Sequence, residues 1–144
     1  MVFYTSFVII AASNLEMVGA MHSGKVKSLV WVGSSKKDLL AQPEEVVKTI
    51  GYALHFAQMG MAHPNVKPLS GFHGTGVLEV VENYDGNTYR AIYTVKFENI
   101  VFVLHCFQKK SKKGISTPKV DVDLIRFRLD KAKQIYEDIK NGKI

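Results

Sequence analysis

The sequence predicts an α+β domain, and three observations carry that prediction. Residues 77–107 hold three strand-like stretches separated by short turns, apolar stripes at helical spacing stand before and after them, and a short apolar run precedes the first stripe. The expected order is strand, two helices, three-stranded antiparallel meander, C-terminal helix. A chain of 144 residues has room for one core of ordinary size. Residues 28–144 are read as that domain and residues 1–27 as an N-terminal extension.

Leu29, Val30, Trp31 and Val32 give the first strand, and Gly33, Ser34 and Ser35 supply a turn and an N-cap for a helix opening at Lys36. Pro43 ends that helix and begins the next, whose stripe is Val46, Val47, Ile50, Leu54, Ala57 and Met61, with Glu44 and Glu45 placed to favour the helix dipole. Residues 61–76, rich in glycine and proline and without period, read as a loop. Strands are expected at residues 77–83, 88–97 and 100–107, joined by Asp85-Gly86-Asn87 and by Glu98-Asn99, connections short enough to require antiparallel hairpins. Thr117 and Pro118 open a last helix whose stripe is Val122, Ile125, Leu129, Ala132, Tyr136 and Ile139.

The first 20 residues are mostly apolar, with Glu16 their only charged side chain, and they lack the basic start of a signal peptide. Their apolar run is shorter than the roughly 20 residues that span a bilayer. Three readings stay open: an extra helix or strand packed on the domain, a loose appendage, or translation from Met21. Cys106 is the only cysteine, which excludes an intrachain disulfide and makes the reducing cytoplasm the expected compartment. Neither a metal site nor a cofactor is expected, since the histidines and acids show no HExxH spacing and no paired cysteines exist.

The formal charge of +6 favours anionic partners: nucleic acid, an acidic protein or an anionic membrane. Strand alternation puts Tyr89, Ala91, Tyr93, Val95 and Phe97 on one face and Thr88, Arg90, Ile92, Thr94 and Lys96 on the other. An arginine on a strand is a phosphate fork held in position; the competing reading is a surface arginine paired with Glu79 or Glu82 across the hairpin. Four lysines, Lys109, Lys110, Lys112 and Lys113, follow the last strand within five residues, a run that a polyanion would neutralise or that serves only solubility. RNA cleavage needs a base near the 2'-hydroxyl, cations at the phosphate and a donor for the departing 5'-oxygen. His105, within an apolar strand, and His73, in the loop, are the candidate proton carriers, with a hydrogen-bonded core histidine and a plain surface histidine as the alternatives. Lys67, His73, Arg90, His105 and the lysine run would converge on one rim of the sheet if the loop after the second helix folds back there.

These residues fall in segments with a family likeness: residues 29–35 (LVWVGSS), 65–71 (NVKPLSG), 76–82 (GVLEVVE), 88–93 (TYRAIY) and 103–113 (VLHCFQKKSKK), followed by Thr117-Pro118. Together they resemble the phage-derived Gp49-like, or HigB-like, branch of the RelE/ParE toxin superfamily. The resemblance implies a RelE-like (microbial-RNase-like) fold and the toxin role in a type II toxin-antitoxin system. It implies metal-independent cleavage of messenger RNA on the ribosome and inhibition by a cognate helix-turn-helix antitoxin, with no membrane partner. It makes Arg90 the arginine of the family's middle-strand signature and Lys67 the basic residue before Pro-Leu. Lys109, Lys110, Lys112 and Lys113 match the basic segment after the last strand, and with Lys96 they are the expected RNA-binding residues. Val81 and Glu82 stand where many relatives have an arginine, and no tyrosine follows the lysine run. The alternative from another class is a non-catalytic RNA- or antitoxin-binding module of the same fold.

Overall fold

The computed structural model describes residues 2–5 by their backbone, and residues 26–109 and 117–143 in full. The described elements are β1 (Val2–Thr5), β2 (Ser28–Val32), α1 (Ser35–Leu40), α2 (Glu44–Gln58), β3 (Val66–Pro68), β4 (Val77–Tyr84), β5 (Asn87–Thr94), β6 (Ile100–Lys109) and α3 (Lys119–Lys140). One sheet holds all the strands in the order β1-β2-β6-β5-β4-β3. The β2–β6 pairing is parallel and the others are antiparallel.

This corrects the expected fold, in which a first strand and a three-stranded meander made up the whole sheet under a RelE-like (microbial-RNase-like) heading. The sheet is six-stranded and mixed, with three helices among the described residues. One added strand, β3, lies inside residues 61–76, read as loop. Three residues ending in proline are too short to show a period, and proline is tolerated there because β3 is an edge strand. The other, β1, pairs with β2 at the opposite edge. The third predicted strand, residues 88–97, also ends early: β5 stops at Thr94, and Phe97 joins the core on the face opposite to Tyr93.

Two apolar layers cover the two faces of β6. On one face Val101, Val103 and Cys106 meet Trp31, Tyr93 and the buried stripe of α2, Val46, Ile50, Ala53, Leu54 and Ala57. On the other, Phe102 and Leu104 meet Ile125, Leu129 and Ala132 of α3, together with Leu69 and Phe72 from the loop between β3 and β4. Burial of large side chains on both faces, each worth roughly 1.5–3 kcal/mol, is what an almost uninterrupted apolar strand can supply. Arg126 holds that loop against α3, with its guanidinium over the Phe72 ring at 4.4 Å and a hydrogen bond to the Gly71 carbonyl of 3.1 Å.

Hairpin geometry sets the register. Asp85 (φ 50°) and Gly86 (φ 78°) form a two-residue turn that closes the pair Tyr84 and Asn87, the left-handed backbone that matches the twist of an antiparallel pair. Between β5 and β6, Ile92 faces His105 while Tyr93 faces Val103, so Leu104 is an extra residue, a β-bulge. Arg128 of α3 donates to the Leu104 carbonyl at 2.9 Å and to Ser34 Oγ at 3.1 Å, and so ties α3 to the sheet and to the turn after β2.

Gly33 makes that tie possible. Its φ is 61°, and a Cβ there would lie 2.8–2.9 Å from the Arg128 guanidinium. Gly33→Ala should lower stability by about 1–2 kcal/mol from backbone strain alone, and by more if Arg128 loses the Leu104 carbonyl. Denaturant unfolding checks this; a midpoint equal to the parent's would show that the turn relaxes without loss.

Candidate nucleic-acid interface

The alternation of β3, β4, β5 and β6 decides which polar side chains share a face. Directly opposed residues project to the same side, so the pairs Lys67 with Glu79, Glu79 with Ile92, Val81 with Arg90, Arg90 with Phe107, and Thr88 with Lys109 all lie on one face. Ile92 belongs to the apolar layer under α3, so this is the α3 side of the sheet. The helix packs on β6 and β2. Beyond it the same face carries Lys67, Glu79, Arg90 and Lys109.

Arg90 is the centre of this group. Its Nη1 donates to Glu79 Oε1 in a short ion pair, and the two side chains are 8% and 5% exposed, a burial that only a charge with a partner tolerates. Arg90 Nε is buried without a hydrogen-bond partner. Lys109 feels the whole group: its pKa lies below the usual lysine value, first through burial and then through Arg90 and Lys67, with Glu79 opposing. Lys67 is exposed on β3 and borders a surface cleft of about 380 Å³ that also touches Pro64, Asn65, Val81 and Glu82.

His105 sits on the same face of β6, 7% exposed, with Nε2 2.8 Å from Asp121 Oδ1 in the first turn of α3. Its ring stacks on Phe107, the residue opposite Arg90, at 4.5 Å between centroids and 13° between planes. Burial lowers its pKa, and the Asp121 hydrogen bond works against that shift without reversing it. A largely neutral ring with Asp121 on Nε2 leaves Nδ1 as the lone-pair atom when Nε2 carries the proton, and Nδ1 is buried without a partner.

Of the residues named from sequence, the structure brings together Lys67, Arg90 and Lys109, with His105 beside them. His73 is exposed in the loop between β3 and β4. Lys96 is exposed beyond the end of β5, against Gly76, while Lys109 pairs with the start of that strand at Thr88. Lys110, Lys112 and Lys113 lie outside the described residues. Cys106 faces the other layer, with its thiol pKa raised by burial. Glu79 has a larger part than the sequence suggests, since it holds a buried arginine and not an ordinary surface one. The signal was present: a two-residue turn at Asp85-Gly86 puts Arg90 opposite Val81 and Glu79 two positions away on the same face. Asp121 carried no such signal, because its contact depends on how α3 docks.

The described residues thus define a mixed-sheet domain with helices on both faces and a strand-borne cation cluster beside α3, in which Lys67 is exposed and Arg90 and Lys109 are buried. The chain belongs to a phage-derived family: it matches the family described as "Phage derived protein Gp49-like" over residues 37–130, from α1 into α3 and across the whole cluster. No curated protein matches it. No helix among the described residues is long and apolar enough to cross a membrane.

The buried histidine has a measurable consequence. An unfolded chain protonates His105 near pH 6.5, whereas the folded protein does so only at lower pH. Stability present above pH 6.5 should therefore be lost as pH falls through that window, and His63, also lowered by burial, acts in the same direction. Thermal unfolding followed from about pH 7.5 to about pH 5 should show this fall, and His105→Gln should make it shallower. An unchanged slope in that variant would assign the pH dependence to other groups.

Proposed function

We propose that this protein is an endoribonuclease that cleaves messenger RNA on the ribosome, as the toxin of a type II toxin-antitoxin pair. The observation that carries the reading is the convergence of Arg90, Lys67 and Lys109 on one face. In this chemistry the 2'-oxygen attacks phosphorus, the bond to the 5'-oxygen breaks, one proton leaves the 2'-hydroxyl and another reaches the leaving oxygen. Negative charge grows on the phosphoryl oxygens, so cations held in place by a sheet stabilise the transition state more than the ground state. Arg90 and Lys67 take that role. His105 and His73 are the candidate proton carriers, while Lys109, Lys110, Lys112, Lys113 and Lys96 supply charge for the RNA backbone. A helix-turn-helix antitoxin that presents acidic side chains across Lys67 and Lys109 would neutralise the face and exclude RNA.

A second reading, a non-catalytic RNA- or antitoxin-binding module, draws on one observation: Arg90 is little exposed and already engaged by Glu79.

Single-turnover cleavage of ribosome-bound messenger RNA, with binding measured separately, tests the proposal. Arg90→Ala should abolish most turnover, and Arg90→Lys should restore part of it, since it keeps the charge and loses the planar fork. Removing Arg90 also strips a buried carboxylate of its counterion, a loss of about 3–5 kcal/mol, so unfolding is measured alongside. Lys67→Ala, at an exposed position, should slow cleavage with the fold intact. Absence of any cut by the unmodified protein would favour the binding module.

A further inference from the structure

We infer that Glu79 is the positioning residue of the cationic face: its carboxylate fixes the Arg90 guanidinium on the sheet so that its remaining donors are ready for a phosphate. The inference rests on the proposed cleavage reading for its consequence in turnover, and on the structure for its geometry.

Three observations support it. Glu79 is buried on β4 between two strands that carry cations, with Lys67 opposite it on β3 and Arg90 diagonal to it on β5. It takes Arg90 by Nη1 alone, and Arg90 Nε, also buried, has no partner. A buried donor left unmade costs about 1–3 kcal/mol, so a guanidinium held by one carboxylate oxygen at Nη1 is only partly satisfied by Glu79. The ligand that fits is an oxyanion, because a guanidinium offers five N–H donors in one plane and one carboxylate oxygen uses only part of them. Finally, Glu79 reaches beyond its immediate partner, since it is among the groups whose field acts on Lys109. One carboxylate thus serves a group of cations drawn from three strands, and that is the arrangement needed to hold like charges together before an anion arrives.

Positioning predicts changes of opposite sign in binding and turnover. Glu79→Gln and Glu79→Ala each raise the net charge of the face by one, so both should bind a short single-stranded RNA at least as tightly as the parent, with a steeper salt dependence. Both should lose single-turnover rate on ribosome-bound messenger RNA, by about 10- to 100-fold for alanine, because an unheld guanidinium no longer meets the phosphate in register. Glutamine, which keeps an acceptor at the same reach, should recover part of that loss. If binding and turnover rose together, Glu79 would be a rival of the substrate and the inference would fall. If both fell together with the unfolding midpoint, Glu79 would be structural and the inference would equally fall.

A readout without cleavage separates this from failure of the proposed function. In the unmodified protein the Arg90 Nε–H resonance should be resolved, slow to exchange with water and shifted by inorganic phosphate. In Glu79→Gln it should move toward the position of a free arginine side chain and exchange faster. Were the unmodified protein to cut no RNA, the enzymatic reading would fail while this resonance still decided the role of Glu79. An Arg90 resonance identical in parent and variant, with the same response to phosphate, would overturn the inference.

Discussion

Strand β6 has an apolar layer on each face and a hydrogen-bonded neighbour on each edge, and the remaining architecture follows from that confinement. Its parallel neighbour β2 lies far back in the sequence, and a parallel pair cannot be joined by a hairpin. The connection therefore carries α1 and α2 across one face before the chain returns through β3, β4 and β5. The opposite face is left to α3, which follows β6. Because the centre of the sheet is closed in this way, polar chemistry is confined to the face of β3, β4 and β5 beyond α3 and to the second half of β6.

The bulge at Leu104 shows how closely that confinement is managed. An extra residue in a buried strand takes a carbonyl out of the ladder, and a buried carbonyl needs a donor. Arg128 supplies it, and the same guanidinium binds the Ser34 hydroxyl, which donates in turn to Asp38 at 2.7 Å. A local irregularity in β6 is thus converted into a link between α3 and the turn before α1. The bulge also alters the alternation beyond it, so that Leu104 and His105 are followed on the α3 face by Phe107 and Lys109, and His105 comes within reach of Asp121.

Much of this was legible in the sequence where a pattern is local. The stripes of α2 and α3, the apolar run of β6 and the Asp85-Gly86 turn depend on neighbours in the chain, and the elements lie where those patterns put them. The polar face of β5 with Arg90 was legible for the same reason. The six-stranded sheet was not: β3 has too few residues to show alternation, and β1 lies in an apolar stretch compatible with several placements. The end of β5 was extended too far because Val95, Lys96 and Phe97 continue the alternation that the chain abandons after Thr94. At the candidate site, Arg90, Lys67 and Lys109 were nameable singly. Their common placement around Glu79 required the register of three strand pairs, and the partnership of His105 with Asp121 required the docking of a helix.

The short strand β3 has one more consequence. Val81 N donates to the Asn65 carbonyl and Leu69 N donates to the Val77 carbonyl, so the backbone of odd-numbered residues points toward β4 and that of Val66 and Pro68 points away from the sheet. Of these two outward donors, Val66 N is already given to the His63 carbonyl, and proline has none. The outer edge of β3 therefore has no amide to offer to a further strand, and the charge of Lys67 beside it opposes stacking of identical copies. The sheet ends there by chemistry as well as by length, because a further strand laid along that edge would receive no amide and lack half of its ladder.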